Sequence, residues 1–108
     1  MSTDATDAVI VLCTFPSAAR AAEIARTLVG EKLAACMNIS EVRSIYAWKD
    51  AIEDEPEALG VIKTTADRFA ALKTRIVELH PYDVPEVIAL PIADGHAPYL
   101  AWLVASTR

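Results

Sequence analysis

Two cysteines and two histidines are all the thiol and imidazole ligands in these 108 residues. That scarcity argues against a structural zinc site, which draws four nitrogen or sulfur ligands from closely spaced pairs. Cys13 and Cys36 form no C-x-x-C motif. Two such residues in a mostly apolar chain suit a reduced, cytoplasmic protein rather than a disulfide framework. No basic stripe offsets the net charge of −5, so nucleic acid is not an expected partner. No apolar run approaches the ~20 residues that span a membrane, so a membrane is not expected either. Internal repeats, linkers and low-complexity segments are also missing. Met1–Asp7 reads MSTDATD, without the positive charge and apolar segment of a secretory leader, and is expected to be a flexible tail. Residues 8–108 then have the size of one domain.

What the chain has in excess is hydrophobicity. Its 54% apolar content exceeds the usual figure of about 45–50%, which implies buried surface beyond a single core and hence self-association. AVIVLCTF, Ala8 to Phe15, is a continuous apolar run suited to a central strand. Ser17 is a candidate N-cap for a helix whose residues Ala21, Ile24, Ala25, Leu28 and Val29 share one face. Gly30 weakens its last turn. AACMNISEVRSIYAWKD predicts a long strand with a bulge near Ser40 and Glu41. The acidic cluster Asp50, Glu53, Asp54, Glu55 and Glu57 reads as a solvated turn, and EALGVIK as the returning strand. Thr64 or Thr65 caps a second helix, with Phe69, Leu72, Ile76 and Leu79 at helical spacing. Pro81 ends that helix. EVIALPI is a last strand, and Pro98 opens a C-terminal helix.

The order β-α-β-β-α-β with a helical tail predicts an α+β fold of the ferredoxin-like, split βαβ type. The first and third strands should be central. The proline-bearing last strand should lie at an edge. Long apolar edges invite a second chain to pair, which favours a homo-oligomer.

Chemistry is harder to find. Acyl transfer needs a nucleophile, a base and an orienting group, and only His80 and His96 could serve as imidazole bases. His96, in DGHAP, reads as an exposed turn residue, and Cys13 as a small buried hydrophobe. No convincing catalytic constellation emerges, so an enzyme is not expected. A hydrolase with His80 as base and Glu86 as orienter is the most that can be built. GVIKTT lacks the glycine spacing of a phosphate-binding loop, although Lys63 stands just before a helix start, where N–H groups and the dipole favour anions. A thiolate at Cys13 with an imidazole at His80 would favour copper or zinc over harder ions. Pro81 and Pro85 stiffen the connector beside His80 and so hold its direction.

VLCTFP, EKLAACMNI, SIYAWK, VIKTT, LHPYDVPEVIALPI and YLAWL, in that order, resemble the CutA-type divalent cation tolerance proteins from about Val9 to Trp102. The resemblance implies a ferredoxin-like subunit in a compact homotrimer, and a role in tolerance to copper and other divalent cations. It also implies copper binding by a cysteine and neighbouring histidines, which fall here on Cys13 and His80. Members with two adjacent histidines would place the first at Leu79, so the site implied here is weak. Tyr46, Trp48, Lys63, Tyr82, Glu86 and Trp102 lie within the matching motifs and could line clefts between subunits. The alternative is a signalling trimer akin to the nitrogen-regulatory PII proteins, binding a small anionic ligand in such clefts. Lys63 speaks for it; the short turn after Lys49 speaks against it.

Overall fold

Alternation of side chains decides where the core lies. In the first strand, β1 (Ala8–Phe15), Val9, Val11, Cys13 and Phe15 are buried and the residues between them only partly so, as a pleated strand with one well-covered face requires. The structure, a computed structural model, describes residues 7–108. The expected tail therefore lies outside it except for Asp7, whose carbonyl accepts from the Ala66 N–H at 2.7 Å.

Helix α1 (Ala18–Gly30) starts at Ser17, whose hydroxyl accepts from the Arg20 N–H at 3.1 Å. It buries Ala21, Ile24 and Leu28 against β1. Gly30 is its last helical residue. The chain turns at Lys32, with φ 61°, where the Lys32 N–H meets Val29 O and the Leu33 N–H meets Leu28 O. That double closure is the Schellman arrangement, and it normally takes glycine at the left-handed position. Strands β2 (Cys36–Trp48) and β3 (Ala51–Thr65) follow. A 3-10 turn, Ala66–Arg68, leads into α2 (Phe69–Leu79), then β4 (Ile88–Pro91) and α3 (Ala97–Ser106). Thr65 precedes the 3-10 turn but makes no side-chain cap; its hydroxyl goes to Asp67 at 2.6 Å.

The sheet order is β2-β3-β1-β4, all antiparallel. This is the α+β, ferredoxin-like arrangement, with the first and third strands central and Pro91 on an edge. Helices α1 and α2 bury one face, packing Leu28, Leu72 and Ile76 against Val11, Phe15 and Ile62. The opposite face carries Ile10, Leu12, Leu59 and Val61, only partly covered, and the exposed Ile88 and Leu90.

Three expectations need correction. The acidic stretch is not a turn: it lies within β3 and pairs with β2 from Val42↔Glu57 to Trp48↔Ala51. The turn is only Lys49 and Asp50, with φ of 49° and 65°, which matches the positive φ at both central positions of a two-residue type I′ hairpin. A two-residue hairpin leaves no slack, so the register runs unbroken through Ser40 and Glu41 and the bulge is absent. The last strand is shorter than expected, because Glu86 and Val87 still belong to the loop. Since β1 stops at Phe15 opposite Ala58, residues 51–57 pair with β2 alone and form an arm. That arm lends the molecule a 44 Å long axis.

Gly60 faces Cys13 across the sheet, and a Cβ there would lie 2.9 Å from both Met37 Sδ and the Phe15 ring. Gly60→Ala is therefore expected to lower stability by about 1–3 kcal/mol through overpacking. Lys32→Gly should raise it by ~1 kcal/mol by relieving a left-handed lysine. Denaturant midpoints at one fixed protein concentration check both signs.

Candidate functional site

Pro81 forces His80 out of the helix: its backbone is extended, at φ −78° and ψ 137°, while its N–H still closes on Ile76 O at 2.8 Å. The side chain turns toward the end of β1. There the ring stacks on Phe15, with centroids 5.0 Å apart and an interplanar angle of 20°. The absent Cβ at Gly60 leaves room for that Phe15 ring. His80 Nδ1 accepts from the Tyr82 backbone N–H at 3.1 Å. The proton must then sit on Nε2, which donates to the Thr14 carbonyl at 2.7 Å. One neutral tautomer satisfies both bonds. Burial first, with Arg20 assisting, holds the His80 pKa below the ordinary 6.5, against the opposing pull of the Thr14 carbonyl and Glu57.

The same carbonyl receives the Cys13 thiol, at 3.7 Å. Thiol and imidazole, 67 residues apart in the sequence, thus meet at a single oxygen. Cys13 is fully buried, and burial, followed by the fields of Glu86 and Glu57, pushes its pKa up to about 12. It is a protonated thiol at neutral pH. Glu86 makes no hydrogen bond to the His80 ring, since Tyr82 N–H holds Nδ1. The orienting role that a hydrolase would need is thereby filled by backbone.

Tyr82 continues the chain of contacts. Its ring lies 4.6 Å from His80, and its hydroxyl donates to Glu57 Oε2 at 2.6 Å. Burial and then that carboxylate raise the Tyr82 pKa well above the usual phenol value. Between the arm and the proline loop opens a groove of about 580 Å³, lined by Tyr46, Trp48, Glu57, Tyr82, Glu86 and their neighbours Thr14, Ser44, Ile45, Asp83 and Val84. Tyr46 also titrates high, through desolvation and then the nearby charges of Glu57, Glu53 and Glu55.

Of the residues named for clefts between subunits, Tyr46, Trp48, Tyr82 and Glu86 line this groove within one subunit. Two do not. Lys63 lies in the body of β3, where its amine donates to Asn38 Oδ1. Trp102 lies on α3, beside Tyr99 at 5.5 Å. No lysine or arginine lines the groove among the described residues, although the Lys49 ammonium lies 5.7 Å from the Trp48 ring centroid. Sequence reasoning missed Glu57, because a carboxylate in an acidic turn reads as solvated. Recognising Lys49–Asp50 as a two-residue turn would have placed Glu57 opposite Val42, on the same face as Tyr46 and Trp48.

Among the described residues no three His, Cys, Asp or Glu side chains converge as a ready metal cage. His80 generates its own test. An unfolded histidine protonates near pH 6.5, while the folded one resists protonation, so the unfolded state binds the proton first. Stability is thus full above pH 6.5 and falls as pH drops through ~6.5 toward the lower folded pKa. Melting curves from pH 7 to 5 should show this decline, and His80→Gln should flatten it. An equally steep decline in the variant would assign the slope to other groups.

Residues 9–106 match the family described as CutA1 divalent ion tolerance protein. A divalent-cation tolerance protein CutA from Thermus thermophilus is 48% identical over 99 residues, covering 91% of this chain and 96% of the relative. Its counterpart from Pyrococcus horikoshii is 42% identical over 100 residues, covering 93% and 98%. The solved structure of the periplasmic divalent cation tolerance protein CutA from Archaeoglobus fulgidus superposes with a TM-score of 0.91 at 32% identity, over 94% of this chain and 99% of that one. The chain belongs to the CutA1 family of divalent ion tolerance proteins.

Proposed function

We propose that the chain acts in divalent cation tolerance as a homotrimer that binds copper weakly through Cys13 and His80, without catalysing a reaction. The observation that carries the copper reading is the shared Thr14 carbonyl, which brings a thiol and an imidazole together. A sulfur and nitrogen pair favours copper over hard ions. Two costs keep the affinity low. The thiol must lose a proton that burial holds to about pH 12, and the imidazole must give up its bond to Thr14. Two protein ligands also leave the ion's remaining positions to water or a neighbouring subunit. A site with these costs fills only when free copper is high, which suits tolerance better than storage. Cys13 and Cys36 are both free thiols, and we place the protein in a reducing cytoplasm, unlike the Archaeoglobus relative described as periplasmic.

Assembly is supported by surface that one subunit leaves open. Ile88 and Leu90 are about half exposed beside the partly covered Ile10, Leu12, Leu59 and Val61. The arm exposes Ile52 on β3, at 81%, and beside it Ile45, at 64%, on β2, an edge strand of 13 residues. Contiguous apolar surface of this kind marks an interaction site, and an unpaired edge is a template for another strand. Light scattering at micromolar concentration should report three times the 11.7 kDa chain mass; a monomeric mass would refute the assembly.

Copper binding is tested by titrating Cu(I) and Cu(II) into the wild type, Cys13→Ser and His80→Ala. Each substitution should weaken binding by about tenfold or more. Because one thiol proton leaves on binding, wild-type affinity should fall about tenfold per pH unit from pH 8 to 6.5. Equal binding by all three proteins would remove Cys13 and His80 from the account.

A further inference from the structure

Glu57 is a carboxylate in an odd position. It is only 9% exposed, it forms no ion pair with any described residue, and its one hydrogen bond comes from a neutral phenol, Tyr82. Its second oxygen takes no bond from the described residues, yet no side-chain oxygen among them is both sealed from solvent and unpartnered. That oxygen is therefore accessible, and Glu57 lines the groove. Burying a carboxylate is costly unless a cation or several donors compensate it, so the protein maintains here an acceptor that still lacks its positive partner.

We infer that the groove binds an organic cation, a primary ammonium on an apolar or aromatic stem, with Glu57 as its counter-ion. The walls match both halves of such a ligand. Tyr46, Trp48 and Tyr82 supply aromatic surface against which a stem can pack and over which an ammonium is attracted. Trp48 already has one ammonium beside it, that of Lys49, 5.7 Å from the ring centroid. Asp83 and Glu86 lie at the same groove and raise the local concentration of cations. A volume of about 580 Å³ falls in the range of ~300–1,000 Å³ common for small organic ligands and far exceeds one metal ion. A metal would also need convergent ligands, and no such trio exists among the described residues.

The inference goes beyond the copper reading and does not depend on it, because Cys13 and His80 do not line the groove. The chain has two tryptophans, so Trp102→Phe leaves Trp48 as the only indole reporter. Into the intact protein carrying that substitution, phenethylammonium is titrated by fluorescence and calorimetry, with phenylacetate as the charge-reversed control. Saturable binding of the amine and none of the acid is expected. Glu57→Gln should weaken it about thirtyfold or more, the scale seen when one partner of a buried charged pair is removed. Tyr82→Phe, which keeps the carboxylate and removes its present donor, should bind at least as tightly. Cys13→Ser should bind the amine unchanged whatever it does to copper. Absence of saturation, as when a neighbouring subunit fills the groove, would overturn the inference. So would equal binding of phenylacetate or an unchanged affinity in Glu57→Gln. Displacement of the amine by Cu(II) or Zn(II) through Glu57 would make the groove a metal site instead.

Discussion

The His80 imidazole joins the scaffold to the groove. Its Nε2–H is tied to the end of β1 at Thr14 and its Nδ1 to the loop at Tyr82, while its face rests on Phe15. Phe15 can lie there because Gly60 has no side chain. The series Gly60, Phe15, His80, Tyr82 and Glu57 thus runs from mid-sheet to the groove wall with each member held by the one before. A neutral imidazole supplies the one donor and the one acceptor that these two bonds require. Protonation converts the acceptor at Nδ1 into a donor facing an N–H, so this bond adds to burial in favouring the neutral form, against the pull of the Thr14 carbonyl and Glu57.

The two prolines on either side of Tyr82–Val84 acquire a purpose from this arrangement. Pro81 ends α2 one residue early enough for His80 to leave the helical path. Pro85 restricts the return toward β4, so Tyr82 reaches Glu57 from a loop with little freedom of its own. The same stiffness that seats the histidine places Asp83 and Glu86 along the groove. Copper binding at Cys13 and His80 would therefore break bonds that hold the loop to β1, whereas a ligand in the groove would meet a surface already shaped.

Charge separates the candidate functions of the two regions. Near Thr14 the groups are neutral: a thiol held protonated and an imidazole held uncharged. Across the groove the side chains are aromatic or anionic, with no lysine or arginine among the lining residues described. Lys63, the residue that suggested an anionic ligand, is engaged with Asn38 within the sheet.

Local patterns were enough to read most of the fold. The unbroken apolar runs at β1 and at 58–62 marked the central strands, Ser17 the first helix start and Pro81 the second helix end, because each depends on nearest-neighbour sterics or on burial periodicity. The proline in the last strand placed it at an edge for the same kind of reason. The acidic segment misled, since charge was read as exposure when the two-residue Lys49–Asp50 hairpin had already committed it to pairing. What only the tertiary structure decided is which distant residues meet. Cys13 and His80 converge because β1 and the end of α2 pack at one carbonyl, and Glu57 became a buried wall because β1 stops at Phe15 and leaves room for Tyr82. Those contacts depend on strand lengths and on where a loop crosses a sheet end, and neither leaves a periodic mark in the sequence itself.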